Sequence, residues 1–163
     1  TMSNVNTLNG GTEDTDYTIS YSSLASAADE SDADSDPLSF RVMSVSSGML
    51  KKGGVAVTPG VTLLASGESL VWTPPANGNG TVAALTVRAW DGDLHSGTSI
   101  DVRVSVAAVN DAPVIDLGGT PTFTSISEDV ASSSNAGDTV GSVFGPVISD
   151  VDAGALEGVA GEE

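Results

Sequence analysis

Carboxylates are the side chains best placed to do chemistry in this chain. Its 163 residues include 22 Asp and Glu against 5 Lys and Arg, one His and no Cys, for a formal charge of -17. Asp29, Glu30, Asp32, Asp34 and Asp36 put five carboxylates into eight residues. Two such groups ~4 Å apart repel by ~1 kcal/mol in water and by several times that where the effective dielectric is lower. A divalent cation reverses the sign of that interaction, and Ca²⁺ suits it because Ca²⁺ takes oxygen ligands alone. For one isolated cluster, a solvated acidic loop is an equally good explanation.

A recurrence along the chain tips that balance. Ser31-Asp32-Ala33-Asp34 aligns with Ser149-Asp150-Val151-Asp152, and a Glu-Asp pair precedes each, Glu13-Asp14 and Glu128-Asp129. The same two acidic motifs in the same order, twice, favour cation sites in a repeated module over solvated loops. The bases are distributed differently. Arg41, Lys51, Lys52, Arg88 and Arg103 all precede residue 110, and residues 111–163 carry no base.

The elements that must position these acids read as strands. Leu38, Phe40 and Val42, then Leu85, Val87 and Ala89, then Ile100, Val102, Val104 and Val106 alternate with polar or larger residues, the period of two of a half-buried strand. Turn-forming pairs such as Ser47-Gly48, Pro59-Gly60 and Asp91-Gly92 separate them. Short strands at this spacing predict an all-β fold, a Greek-key β-sandwich of about seven strands between residues 12 and 109, with no helical stretch. Asp101 and Arg103 fall on its solvent face, and Trp72 in its core or at a corner. The parity of Trp90 sets it opposite Leu85, Val87 and Ala89, beside the Asp91-Gly92-Asp93 turn.

Composition excludes other classes. Leu, Ile, Val and Phe make 39 of the 163 residues, enough for a core and above the level of disordered chains. Phosphate-rich nucleic acid and anionic membrane surfaces would be repelled, and no apolar run approaches the ~20 residues of a membrane span. Pro37 and Met43 stand where an EF-hand loop needs Gly and a bidentate Glu. A lone His95 without Cys makes neither a transition-metal site nor a persuasive triad, so no enzymatic activity is expected.

At Val109-Asn110-Asp111-Ala112-Pro113-Val114 the chain resembles the V-N-D-A-P-V junction of bacterial cadherin-like repeats, the modules strung in tandem through large secreted adhesins. The resemblance extends over Glu13-Asp14, Asp32-Ala33-Asp34, Trp72-Thr73-Pro74 and Asp91-Gly92. It implies a cadherin-like, immunoglobulin-like sandwich over 12–109, preceded by the end of a linker at 1–11. A calcium-binding linker at 110–117 and a truncated second repeat over 118–163 would follow. It also implies Ca²⁺ at the domain junctions, with Glu13, Asp91, Asp93, Asn110, Asp111, Asp150 and Asp152 at one of them. Asp32 and Asp34 would serve a preceding junction and Glu128 a following one. Ala108 and Ala112 replace two of the oxygen donors in the animal cadherin linker, which implies one or two ions of modest affinity.

The function expected on these grounds is a calcium-rigidified extension repeat of a bacterial cell-surface adhesin, secreted or surface-exposed. Its partners would be neighbouring repeats of the same chain, with a glycan, a surface protein or calcium-dependent self-association as further classes. The alternative is a carbohydrate- or protein-binding module that uses Trp90 and the loop after it.

Overall fold

The alternating segments form the long strands of a two-layer sandwich. The computed structural model describes residues 1–116, 118–126, 128, 129, 131, 134, 137–152 and 154. Two compact units divide the chain, Thr1–Val109 and Asn110–Glu163. In the first, β1 (Leu8–Thr12), β9 (Ile100–Ala107), β8 (Gly80–Trp90), β3 (Ser39–Val45) and β6 (Leu63–Leu64) make one sheet in that order. The facing sheet runs β2 (Tyr17–Ser20), β7 (Ser69–Thr73), β4 (Met49–Lys52) and β5 (Val55–Ala56). Among the described residues this unit therefore has nine strands rather than about seven. The fold class is the all-β sandwich that the alternation predicts, in keeping with the immunoglobulin-like fold that the resemblance implies.

Side-chain parity is as the sequence dictates. Phe40, Val42, Leu85, Val87, Val102 and Val104 are buried from one sheet, and Ile19, Leu50, Leu70 and Trp72 from the other. Trp72 donates its indole N–H to the Ser47 carbonyl at 2.8 Å, which satisfies its one polar atom inside the core. The adjoining turn needs glycine: Gly48 has φ +65°, and a Cβ there would stand 2.0 Å from the Thr73 carbonyl oxygen. Asp101 and Arg103 pair with each other at 3.0 Å on the outer face.

Two expectations need correction. Residues 1–11 are not a linker remnant: they contain most of β1, which pairs in parallel with β9, and they bury Met2 and Leu8 in the core. The fold also contains a helix, α1 (Tyr21–Ala27). Its composition is a poor advertisement, with Ser at 22, 23 and 26 and one buried residue, Leu24. What fixes it is a cap and an anchor. The Ser20 hydroxyl accepts from the Ser23 amide at 3.1 Å, and Leu24 is fully enclosed by the core.

Among its described residues the second unit repeats features from the opening of the first. A short helix α2 (Val140–Phe144), capped by Thr139, precedes its D-x-D, as Ser20-capped α1 precedes Asp32. β10 (Val114–Ile115) pairs antiparallel with β11 (Ile148–Ser149). Phe123 and Phe144 meet edge-on at 6.1 Å, yet Phe123, Ile126 and Val140 are exposed and Val143 is the buried hydrophobe among the described residues.

Candidate functional site

Strand direction decides which acids share an end of the first sandwich. Because β1 runs parallel to β9, with Thr12 beside Ala107, Glu13 emerges where β9 finishes, and its amide donates to the Ala107 carbonyl at 3.0 Å. β8 is antiparallel to β9, so Gly80 lies beside Val106 at that end while Trp90 and the following Asp91 lie at the other. Ten steps along β8 at ~3.3 Å per residue separate the two ends by about 33 Å. The expectation that Glu13, Asp91 and Asp93 share one junction is thus corrected: Asp91 and Asp93 stand at the opposite end from Glu13.

At the Glu13 end the carboxylate is 1% exposed, the one buried charged residue among those described. Oε2 accepts from Asn79 Nδ2 at 2.8 Å, and Oε1 is buried without a hydrogen-bond partner among the described residues. Asp14 follows in the left-handed region, φ 54°, where its Oδ1 accepts from the Asn77 amide at 3.4 Å. One of its carboxylate oxygens lies within 4.8 Å of one from Glu13. Among the described residues neither acid is in a salt bridge, and the ion pairs are Lys52–Glu68 and Arg103–Asp101. The motif points to Glu13, whereas the Asn77-Gly78-Asn79-Gly80 run reads as a turn and gives no sign that Asn79 serves Glu13.

At the other end the acids are held by loop backbone. Asp91 Oδ1 accepts from the Leu94 amide at 2.6 Å and the Asp93 amide at 2.8 Å, and these bonds, Leu94's first, hold its carboxyl below the usual range. Asp32 Oδ1 accepts from the Asp34 amide at 2.9 Å and the Asp36 amide at 3.3 Å. Asp32 and Asp91 both line a cavity of about 530 Å³, with Leu38, Ala89, Leu94 and His95 among its walls. Asp34 and Asp93 are exposed beside it in sequence. Asp29 accepts from the Ser3 hydroxyl and from the Ser3 and Asn4 amides, which together, the hydroxyl foremost, lower its pKa to about 2.

In the second unit, Asp111 and Asp152 come together, the Asp111 amide donating to Asp152 Oδ2 at 2.6 Å. Asp152 in turn donates its amide to Asp150 Oδ1 at 2.9 Å, the bond that Asp34 makes to Asp32 in the first. Asn110 Nδ2 donates to the Asp111 carbonyl at 2.7 Å, and Glu128 is exposed in a turn. The continuation of this D-x-D segment at Ala153, Ala155 and Leu156 lies outside the described residues.

Trp90 is half-buried with its ring already engaged. The Arg41 guanidinium carbon sits 3.5 Å from the ring centroid, and the His95 ring lies 6.5 Å away at a tilt. Arg41 is the residue here that sequence patterning missed; it sits diagonally across the β3–β8 pairing from Trp90, a relation that no local motif records.

No curated protein and no solved structure matches the chain. Residues 2–106 match the family model of the bacterial Ig domain. That span takes in all nine strands of the first sandwich except the last residue of β9, and the chain therefore belongs to the bacterial Ig domain family.

Proposed function

We propose that the chain is a non-enzymatic extension module of a bacterial surface protein, one whose domain ends bind Ca²⁺ and stiffen when they do. The observation that carries this reading is Glu13. A carboxylate enclosed by protein, with one oxygen given a single amide donor and the other given none, is costly to bury. A bound cation removes that cost, and the donors at hand, carboxylate and amide oxygens without Cys, are those of a hard ion such as Ca²⁺. Glu13 and Asp14 would hold it at this end of the first domain, and Asn110, Asp111, Asp150 and Asp152 are the residues to which the cadherin-like linker pattern assigns calcium ligation. The ion would supply charge neutralisation, converting repulsion between carboxylates into shared ligation.

Asp32 and Asp91, with Asp34 and Asp93 next to them, would serve the opposite end. Their Oδ1 atoms are committed to backbone amides, which fixes each carboxylate and leaves Oδ2 for an ion. Among the described residues, no helix is long and apolar enough to cross a membrane. Affinity in the range of extracellular modules, Kd about 10⁻⁴–10⁻³ M, suits a secreted or cell-surface setting. The deciding experiment is thermal unfolding and small-angle scattering of the 163-residue chain in millimolar Ca²⁺ and in EGTA. The reading requires a higher midpoint and a longer, stiffer particle with Ca²⁺; identical curves and envelopes dispose of it.

A further inference from the structure

The outer face of the five-stranded sheet carries a cationic centre that the calcium reading leaves unused. Arg41 and Arg88 are direct cross-strand partners on β3 and β8, in a chain with five bases and 22 acids. Like charges placed opposite each other destabilise a strand pair. With so many carboxylates available, each guanidinium could have been given one. Instead Arg88 contacts the Ser99 hydroxyl at 3.2 Å and the His95 ring at 3.2 Å. Arg41 makes no hydrogen bond or ion pair among the described residues; its Nε is buried without a partner, and its guanidinium carbon sits over the Trp90 ring, 3.5 Å from the centroid. Stacking on an indole orients a guanidinium without using any of its donors.

We propose that Arg41 and Arg88, braced by Trp90, form a docking site for a carboxylate side chain presented by an acidic segment of a partner protein. A carboxylate seated between the two forks relieves the Arg41–Arg88 repulsion and takes up donors that have no partner now. The occupant is a protein segment rather than a glycan for two reasons. Arg41 already covers a face of the Trp90 ring, so a sugar would have to displace it to stack. The surface is also an open sheet face in which half-buried Leu63 flanks Arg41 on the other side, and paired Arg and Trp beside aliphatic surface are the anchors of protein interfaces.

Calorimetric titration of the full chain with an end-capped hexaglutamate peptide tests this, in EGTA so that no metal can bridge the acids. Parallel titrations use an oligogalacturonate of equal charge. Binding of the peptide should weaken at least tenfold in Arg41→Gln and in Arg88→Gln. Arg41→Lys should lose nearly as much, since an ammonium keeps the charge but not the fork. All three variants should still unfold cooperatively as folded chains, because the contacts they alter, the Trp90 stack and the Ser99 and His95 contacts, lie on the outer face of the sheet and not in its core. The proposal is overturned if the peptide binds the variants as tightly as the wild type, if it fails to bind at millimolar concentration, or if the oligogalacturonate binds and the peptide does not.

Discussion

The two ends of the first sandwich use the same side chain in opposite ways. At one, Glu13 is buried, holds a single side-chain donor and keeps an oxygen without a partner. At the other, Asp32 and Asp91 are partly exposed, and each is fixed by two backbone amides from its own loop. Burial leaves the first carboxylate with an unsatisfied oxygen, which the proposed cation would satisfy. Loop hydrogen bonding makes the second pre-oriented but already comfortable in its charged state. A cation should consequently change the stability of the Glu13 end more than that of the Asp91 end.

The largest expected effect tests that asymmetry directly. If Ca²⁺ is held as proposed, a hundredfold excess over Kd stabilises the chain by about 2.7 kcal/mol. Glu13→Gln keeps the Asn79 contact but removes the charge, so the calcium-dependent rise of the melting midpoint should vanish while the midpoint in EGTA stays level or increases. The double substitution Asp32→Asn with Asp91→Asn should preserve most of that rise. Equal losses in the two proteins would abolish the distinction between the ends.

A smaller effect is expected from the hydrogen-bond donor of Glu13. Asn79→Ala strips Glu13 of its side-chain donor and should destabilise the chain in EGTA by about 1–3 kcal/mol, the cost of leaving a buried polar group unsatisfied. Urea unfolding measures it, and millimolar Ca²⁺ should recover part of the deficit. By contrast Asp91→Asn retains an oxygen for the Leu94 and Asp93 amides, and its urea midpoint should match the wild type. An unchanged midpoint for Asn79→Ala would mean that solvent already satisfies Glu13.

Why one end was legible in the sequence and the other misplaced follows from the range of each signal. Strand parity is local: the alternation through Phe40, Val87 and Val104 reports which way each side chain points, and the core agrees with it. The assignment of Asp91 to an end is non-local. It depends on β1 joining β9 in parallel, a pairing between residues 8–12 and 104–107 that no window of sequence contains. Helix α1 was hidden for a related reason, since its Ser-rich stretch has little helical propensity and is held by Leu24 in the core. The D-x-D motifs were legible because their geometry is local, an amide two residues on closing onto the first Asp, at 2.9 Å in each copy.

The smallest effect separates the two kinds of carboxylate by pH. Asp29, near the Asp32 loop, is held at a pKa of about 2 by the Ser3 hydroxyl and the Ser3 and Asn4 amides. An unfolded Asp titrates near about 3.9. A depressed folded value means that these contacts are at full strength above about pH 4 and disappear as pH falls through about 2. Glu30 next to it has the opposite sign: burial, its main influence, pushes its pKa up, so its protonation favours the folded chain on acidification. NMR titration of the two carboxyl carbons should therefore show Asp29 turning over near pH 2 and Glu30 above the usual Glu range. In Asp29→Asn the Ser3 and Asn4 amide resonances should no longer move between pH 4 and pH 2. If Asp29 titrates near pH 4 instead, the first residues are not tied to this loop in solution, and the contrast between fixed and unsatisfied acids loses one of its anchors.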